Sequence, residues 1–272
     1  MKINKKIFSI VFTLLILTGC KNQKENIEST EKNGWKTESQ VIKTIKNINF
    51  TFPSKGMSFE QKENYVSACF KALEENVKII DLENLNDTIN IRFLNTRKES
   101  EKYTGQASSG SAWPHIKTLY VVVNENVKPP IKHELMHLIA MLEWSDANQT
   151  STWINEGLAT YAENNCNDYN VAQIYRFFME TDKLIAIELL AKDFYKQPEM
   201  IGYHQSAYIV EFILKNYGVI KLKKLWIEGF DKFEEIYNVP YAKIKVDLEK
   251  ELLEKYPKTP EINWEVFEEG CN

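Results

Sequence analysis

Cysteine, histidine, glycine and proline are all scarce in this chain. Its 272 residues include 4 Cys, 4 His, 10 Gly and 8 Pro. So little Gly and Pro excludes a collagen-like or low-complexity protein, and 43% hydrophobic residues exclude a disordered one. There is no CxxC pair, which argues against a cysteine-based zinc site. No apolar run approaches the ~20 residues that a membrane-spanning helix needs. An excess of positive charge is missing too. Lys plus Arg number 34 against 38 Asp plus Glu, and without the three Lys of residues 1–19 the formal net charge falls from −4 to −7. Nucleic acid is therefore excluded as the main partner, because phosphate neutralisation needs clustered Lys and Arg. Neither an internal repeat nor an EF-hand-type calcium loop is visible. The length suits one large domain or two small ones.

The first residues have the pattern of an address. A basic start, Met1 to Lys6, precedes an apolar run of 11 residues from Ile7 to Leu17. At 1.5 Å per residue that run is too short for a ~30 Å hydrocarbon core but fits the apolar region of a secretory signal. It ends Leu17-Thr18-Gly19-Cys20. This resembles the lipobox of bacterial lipoproteins and implies a signal peptide over 1–19 and lipidation of Cys20. Several acyl chains would give stable anchoring to the membrane. Residues 20–44 are polar at first and are expected to be a flexible tether, with a reach of roughly 25 Å. Lys21 in place of Asp resembles the pattern of outer-membrane sorting, so a lipid anchor in the bacterial cell envelope is expected. Cys69, Cys166 and Cys271 then remain, enough in an oxidising compartment for one disulfide and one leftover thiol. Cys69 falls in a helical pattern and suits a buried thiol.

Beyond the tether the patterning predicts an α+β protein: a small mixed sheet with an HExxH helix, then a mainly helical half. Strands are expected at Ile45–Phe52, Thr88–Leu94 and Lys117–Asn124, the last being the strongest strand signal in the chain. Tyr65, Cys69, Leu73 and Val77 recur every four residues within a helix over 58–77, with Ser58 and Gln61 placed as a capping box. Gly105 to Pro114 reads as a loop. Pro129-Pro130 opens a helix that runs to about Trp144, and another spans about Trp153 to Asn165. From Val171 to Tyr256 the pattern is helical, with breaks at 196–198, 217–218 and 238–240. The expected division is 45–166 and 167–272, although the chemistry spans both parts.

That chemistry starts at His133-Glu134-Leu135-Met136-His137. In a helix, residues i and i+4 share a face, so both imidazoles can reach one metal at about 2.0–2.1 Å. Glu134 is adjacent and can reach a metal-bound water. A hydrolytic zinc site needs a third protein ligand and an open position. After 18 intervening residues stands Glu156, within Trp153-Ile154-Asn155-Glu156-Gly157.

HExxH, this gap and W-x-N-E-G together resemble the gluzincin metallopeptidases of the aminopeptidase N and thermolysin-like clan, and the peptidase-MA-like bacterial lipoproteins. The resemblance implies Zn2+ held by His133, His137 and Glu156, with Glu134 as general base. It implies that Glu163, two turns beyond Glu156, accepts the outer ring N–H of a ligating histidine. It also implies a catalytic Tyr at the start of a downstream helix, matched by Tyr203 in Gly202-Tyr203-His204-Gln205, with His204 as the alternative oxyanion donor. His115 reads as a surface histidine, although it or the loop Gly105–Ser111 could touch substrate. The resemblance stops short of the G-x-M-E-N signature by which aminopeptidases hold the substrate amine; the comparable stretch here is Gly105-Gln106-Ala107-Ser108-Ser109-Gly110. The expected function is zinc-dependent cleavage of a peptide or protein substrate. The alternative is a catalytically silent or non-peptide-cleaving zinc-site lipoprotein acting as a surface interaction module. A glycan-binding surface protein would suit the 13 Tyr and 6 Trp, but these scatter through predicted helices and read better as core.

Overall fold

The computed structural model describes residues 40–45 (backbone only), 47–123, 128–144 and 151–271. The signal peptide 1–19, Cys20 and the tether as far as residue 39 lie outside the described residues. Five strands form one sheet: β1 Gln40–Ile45, β2 Ile48–Pro53, β3 Ile89–Leu94, β4 Gly110–Trp113 and β5 Thr118–Val122, in the order β1-β2-β3-β5-β4. The β2–β3 and β3–β5 pairs are parallel, whereas β1–β2 and β5–β4 are antiparallel. The expected strand Ile45–Phe52 is thus the turn and second arm of a hairpin. Residues 40–44, expected within the tether, join Ile45 as its first arm, paired residue for residue from Gln40 with Pro53 to Ile45 with Ile48.

The strong signal at 117–124 marks an inner strand. All five residues of β5 are buried, as a continuous apolar run between two neighbours requires. The stretch 105–114, expected to be a loop, contains the edge strand β4. Short Gly, Ser and Ala side chains mask the alternation there, and pairing with β5 supplies the order that the local pattern lacks.

Helix α1, Phe59–Ile79, starts with the expected box: the Ser58 hydroxyl accepts from the Gln61 N–H, and Gln61 Oε1 accepts from the Ser58 N–H. Helix α2, Arg97–Thr104, ends on Gly105 in the left-handed region. Helix α3, Ile131–Trp144, carries HExxH and lies against β4, β5 and α1. Its start is tied to α1 by Asn76 Nδ2, which donates to the Lys132 carbonyl at 2.8 Å, and by a Lys132–Glu75 ion pair at 2.6 Å. Helix α4, Thr152–Glu163, packs on α3 and carries Trp153 and Leu158 fully buried.

The remaining helices are α5 Val171–Glu180, α6 Ile187–Asp193, α7 Glu199–Glu228, α8 Phe233–Tyr237, α9 Tyr241–Lys255 and α10 Trp264–Glu268. Helix α7 kinks at Gly218 (φ 81°), a backbone conformation favoured by glycine, at the break expected near 217–218. The other breaks are present as well: a 3-10 turn at Phe194–Lys196 before Pro198, and Asn238 in the left-handed region before Pro240.

The described residues belong to one compact unit that includes both sides of residue 166. Helices α4 and α7 pack together across it. Cys166 and Cys271 form a disulfide, and Cys69 is buried and free. The disulfide pins the C-terminal tail beside a cluster of Ile174, Phe177, Phe178, Ile201 and Phe267. Among the described residues no helix is long and apolar enough to cross a membrane.

Because the bridge closes a loop of sequence separation 105, breaking it releases considerable chain entropy in the unfolded state. Reduction, or Cys271→Ser, is expected to lower the unfolding free energy by about 2–5 kcal/mol in denaturant titration. An unchanged unfolding midpoint would show that the bridge contributes nothing.

Candidate metal centre

Helix α3 is apolar around most of its circumference. Leu135, Met136, Leu138, Ile139 and Ala140 are buried, which fixes the rotation of the helix. His133, Glu134 and His137 are left on the side facing α4 and the edge strand β4. The ring planes of the two histidines lie 84° apart, with both Nε2 atoms turned to one point and 3.1 Å apart. Glu156 Oε2, from α4, lies 3.1 Å from His137 Nε2 and 3.5 Å from His133 Nε2. In a tetrahedral site, donors about 2.0–2.1 Å from one ion sit roughly 3.3–3.4 Å from each other. The three donor atoms therefore have the mutual spacing of a mononuclear site. They are two neutral-capable imidazoles and a carboxylate, a set suited to zinc and its borderline neighbours.

Close helix packing holds Glu156 there. A Cβ on Gly157 would lie 2.8 Å from the backbone C and O of Ser206 in α7, so only glycine permits this approach of α4 to α7. Asn155 is buried, and its Oδ1 accepts from Trp226 Nε1 at 3.1 Å. Ser151 N–H donates to the Trp226 carbonyl at 2.8 Å, so the segment of α7 beyond the Gly218 kink grips the start of α4 at two points. The W-x-N-E-G string is thus a packing device as well as a ligand carrier.

Burial opposes charge on both His137 and Glu156, and their mutual attraction overcomes it. The Glu156 carboxyl is held far below the usual carboxylate range by His137 and His133. His137 is pushed up to about 9, chiefly by Glu156. Glu134 is raised, with burial the largest cause and the two histidines partly offsetting it. Its side chain is pressed beneath β4: a Cβ on Gly110 would lie 2.6 Å from Glu134 Cγ and 2.7 Å from Pro130 Cγ. That contact explains why glycine opens the edge strand.

Tyr203, in the first turns of α7, stacks near His133 with ring centroids 6.2 Å apart. Its hydroxyl is raised well above the phenol range, by burial first and then by Glu156. It is a neutral donor. Tyr195 stands beside it and was not among the residues expected from the sequence. Its hydroxyl donates to Glu156 Oε1 at 2.8 Å. It sits in the 3-10 turn Phe194–Lys196, in no motif, and 39 residues beyond the carboxylate it reaches.

Glu163 faces the same cleft, yet its ion pair is with Lys128 at 3.3 Å. Among the described residues no hydrogen bond joins it to either histidine. His204, the alternative donor, is occupied elsewhere. It is buried, Nδ1 lies 2.8 Å from the Met200 carbonyl, and Nε2 faces Cys271 Sγ at 3.7 Å. Donation from Nδ1 to a carbonyl leaves Nε2 as the bare acceptor nitrogen of a neutral ring, so it has no proton to offer an oxyanion. His115 stacks edge-on against Trp113.

Two cavities, of about 950 and 560 Å3, share Gly110, His133, Glu134 and Tyr203 as common lining. The cleft therefore continues on both sides of the three donor atoms. An HExxH helix on a mixed sheet, with a carboxylate from the next helix beside both histidines, defines a protein of the metallopeptidase-like class. The family model of the Peptidase MA superfamily matches residues 94–239, from the end of β3 through the whole site, and the chain belongs to that superfamily. No curated protein matches the chain significantly.

Two outcomes follow from the packing. Gly157→Ala is expected to destabilise the fold by about 1–3 kcal/mol, because its neighbour is backbone and cannot rotate away. A melting temperature equal to that of the wild type would contradict the contact. His204 is held down to about 4, foremost by burial, against an ordinary value near 6.5. Above pH 6.5 it is neutral both folded and unfolded. Below that only the unfolded chain binds the proton, so stability drains at about 1.4 kcal/mol per pH unit until about pH 4. Unfolding free energies of the wild type and His204→Gln should diverge across that window, the wild type losing more. Parallel curves would refute the assignment.

Proposed function

We propose that this protein is a gluzincin-type zinc peptidase that cleaves peptide bonds in extended substrates. The observation that carries the proposal is the spacing of His133 Nε2, His137 Nε2 and Glu156 Oε2, at 3.1–3.5 Å from one another with Glu134 alongside. These three residues would hold Zn2+, which supplies Lewis acidity and a water acidified toward neutral pH. Glu134, which lines the cleft beneath β4, takes the proton of the attacking water and passes it to the departing nitrogen. Its raised pKa makes the protonated intermediate form easier to reach. Tyr203, which lines the cleft beside His133, donates its neutral hydroxyl to the oxygen on which negative charge builds. A positioned donor of this kind is typically worth about 2.7–4 kcal/mol of transition-state stabilisation.

The edge position of β4 supports a peptide substrate over an ester or a compact ligand. Among the described residues its outer backbone side is unpaired within the sheet, and an extended peptide can add to such an edge as a further strand. A cleft that continues on both sides of the three donors accommodates residues before and after the cleaved bond. The proposal includes an envelope location with the chain anchored through a lipidated Cys20. Its support is the basic start, the short apolar run and the Leu17-Thr18-Gly19-Cys20 ending.

A Glu134→Gln variant tests the reading. It is expected to retain stoichiometric zinc while casein hydrolysis falls by roughly 10²–10⁴-fold, and chelation should abolish wild-type hydrolysis altogether. Undiminished cleavage by the variant, or cleavage insensitive to chelator, would overturn the proposed mechanism.

A further inference from the structure

The buried carboxylate of Glu156 uses its two oxygens for different tasks. Oε2 faces the two imidazoles, and Oε1 accepts the Tyr195 hydroxyl at 2.8 Å. Glu156 is only 7% exposed, so an oxygen without a donor there would be costly. A carboxylate oxygen can only accept, so the Tyr195 hydroxyl is the donor in this bond.

The setting of Tyr195 argues for more than filling that need. Its residue is 72% exposed, which is unusual for a tyrosine whose hydroxyl is committed to a buried acid. The turn that carries it is held from beneath. Phe194 is buried, meets Tyr195 edge-on at 5.4 Å and Tyr203 at 5.2 Å, and packs against Gly202. Gln197 N–H donates to the Phe194 carbonyl at 3.0 Å, and Gln197 Nε2 donates to the Asp193 carbonyl at 3.2 Å. A braced turn thus presents one hydroxyl to one carboxylate oxygen at the wall of the cleft shared by Tyr203 and Glu134.

We infer that Tyr195 is a positioning residue that reserves Glu156 Oε1, so that the carboxylate offers a metal ion Oε2 alone. This inference rests on the zinc-site reading above. With one oxygen withheld, the three side chains leave room for both water and a substrate carbonyl. With both oxygens free, a carboxylate can swing to chelate and fill a position that the reaction needs. Tyr195 and Tyr203 then divide the work: the first hydroxyl holds a ligand, and the second, with no hydrogen bond among the described residues, is available to substrate.

The test is Tyr195→Phe in the full chain, which removes one oxygen and keeps the ring against Phe194. Zinc affinity, measured by competition with a chromophoric chelator, is expected to weaken about tenfold. In the Co2+-substituted protein the visible absorption bands should lose intensity as Oε1 joins the ion and coordination rises above four. Tyr203→Phe, which makes no bond to Glu156, should alter neither readout. A Tyr195→Phe protein with wild-type zinc affinity, or with a wild-type cobalt spectrum, overturns this inference and leaves the metal-site reading intact. A wild-type chain that takes up no Zn2+ overturns both.

Discussion

Everything at the site depends on bringing a carboxylate from one helix within 3.5 Å of two imidazoles on another and keeping it there. Burial opposes that arrangement. A carboxylate loses hydration when enclosed, and it persists there because it attracts and bonds the two imidazoles beside it. Such attraction fades if the partners drift by even an ångström or two, so the helices must be locked. The lock is apolar and steric. Five apolar residues of α3 seat it against the sheet and its helical neighbours, while Gly157 lets α4 approach the backbone of α7. The Trp226 clamp then fixes the first turns of α4.

The same packing organises the approach to the site. Gly110 opens the edge strand directly over Glu134, so the sheet edge and the carboxylate that lines the cleft are one construction. Phe194 buttresses both tyrosines from a single buried position. The disulfide at the far end holds the C-terminal tail against His204, and residues 269–271 form part of the wall of the larger cavity. The tail is thereby part of the cleft.

Much of this was legible from local patterns whose cause is local. The HExxH helix, the Ser58–Gln61 cap and the helix breaks at Gly218 and Pro240 depend on neighbours in sequence, and they stand where the patterns put them. Glu156 was legible only through resemblance, since nothing within its own turn marks a ligand. What escaped depends on contacts distant in sequence. β4 reads as loop because its order comes from pairing with β5. Residues 40–44 read as tether because their partners lie across a turn. Tyr195 belongs to no periodicity, and its importance exists only once Glu156 is beside it. Glu163 and His204 have the right residue type and the right neighbourhood, but an ion pair with Lys128 and a bond to the Met200 carbonyl commit them elsewhere.

The most direct measurement is a crystal structure of the zinc-soaked protein with diffraction data recorded on both sides of the zinc absorption edge. The account predicts one strong anomalous peak about 2.0–2.1 Å from His133 Nε2, His137 Nε2 and Glu156 Oε2. An anomalous map with no peak between these atoms, or with Glu156 turned away from the ion, would contradict it.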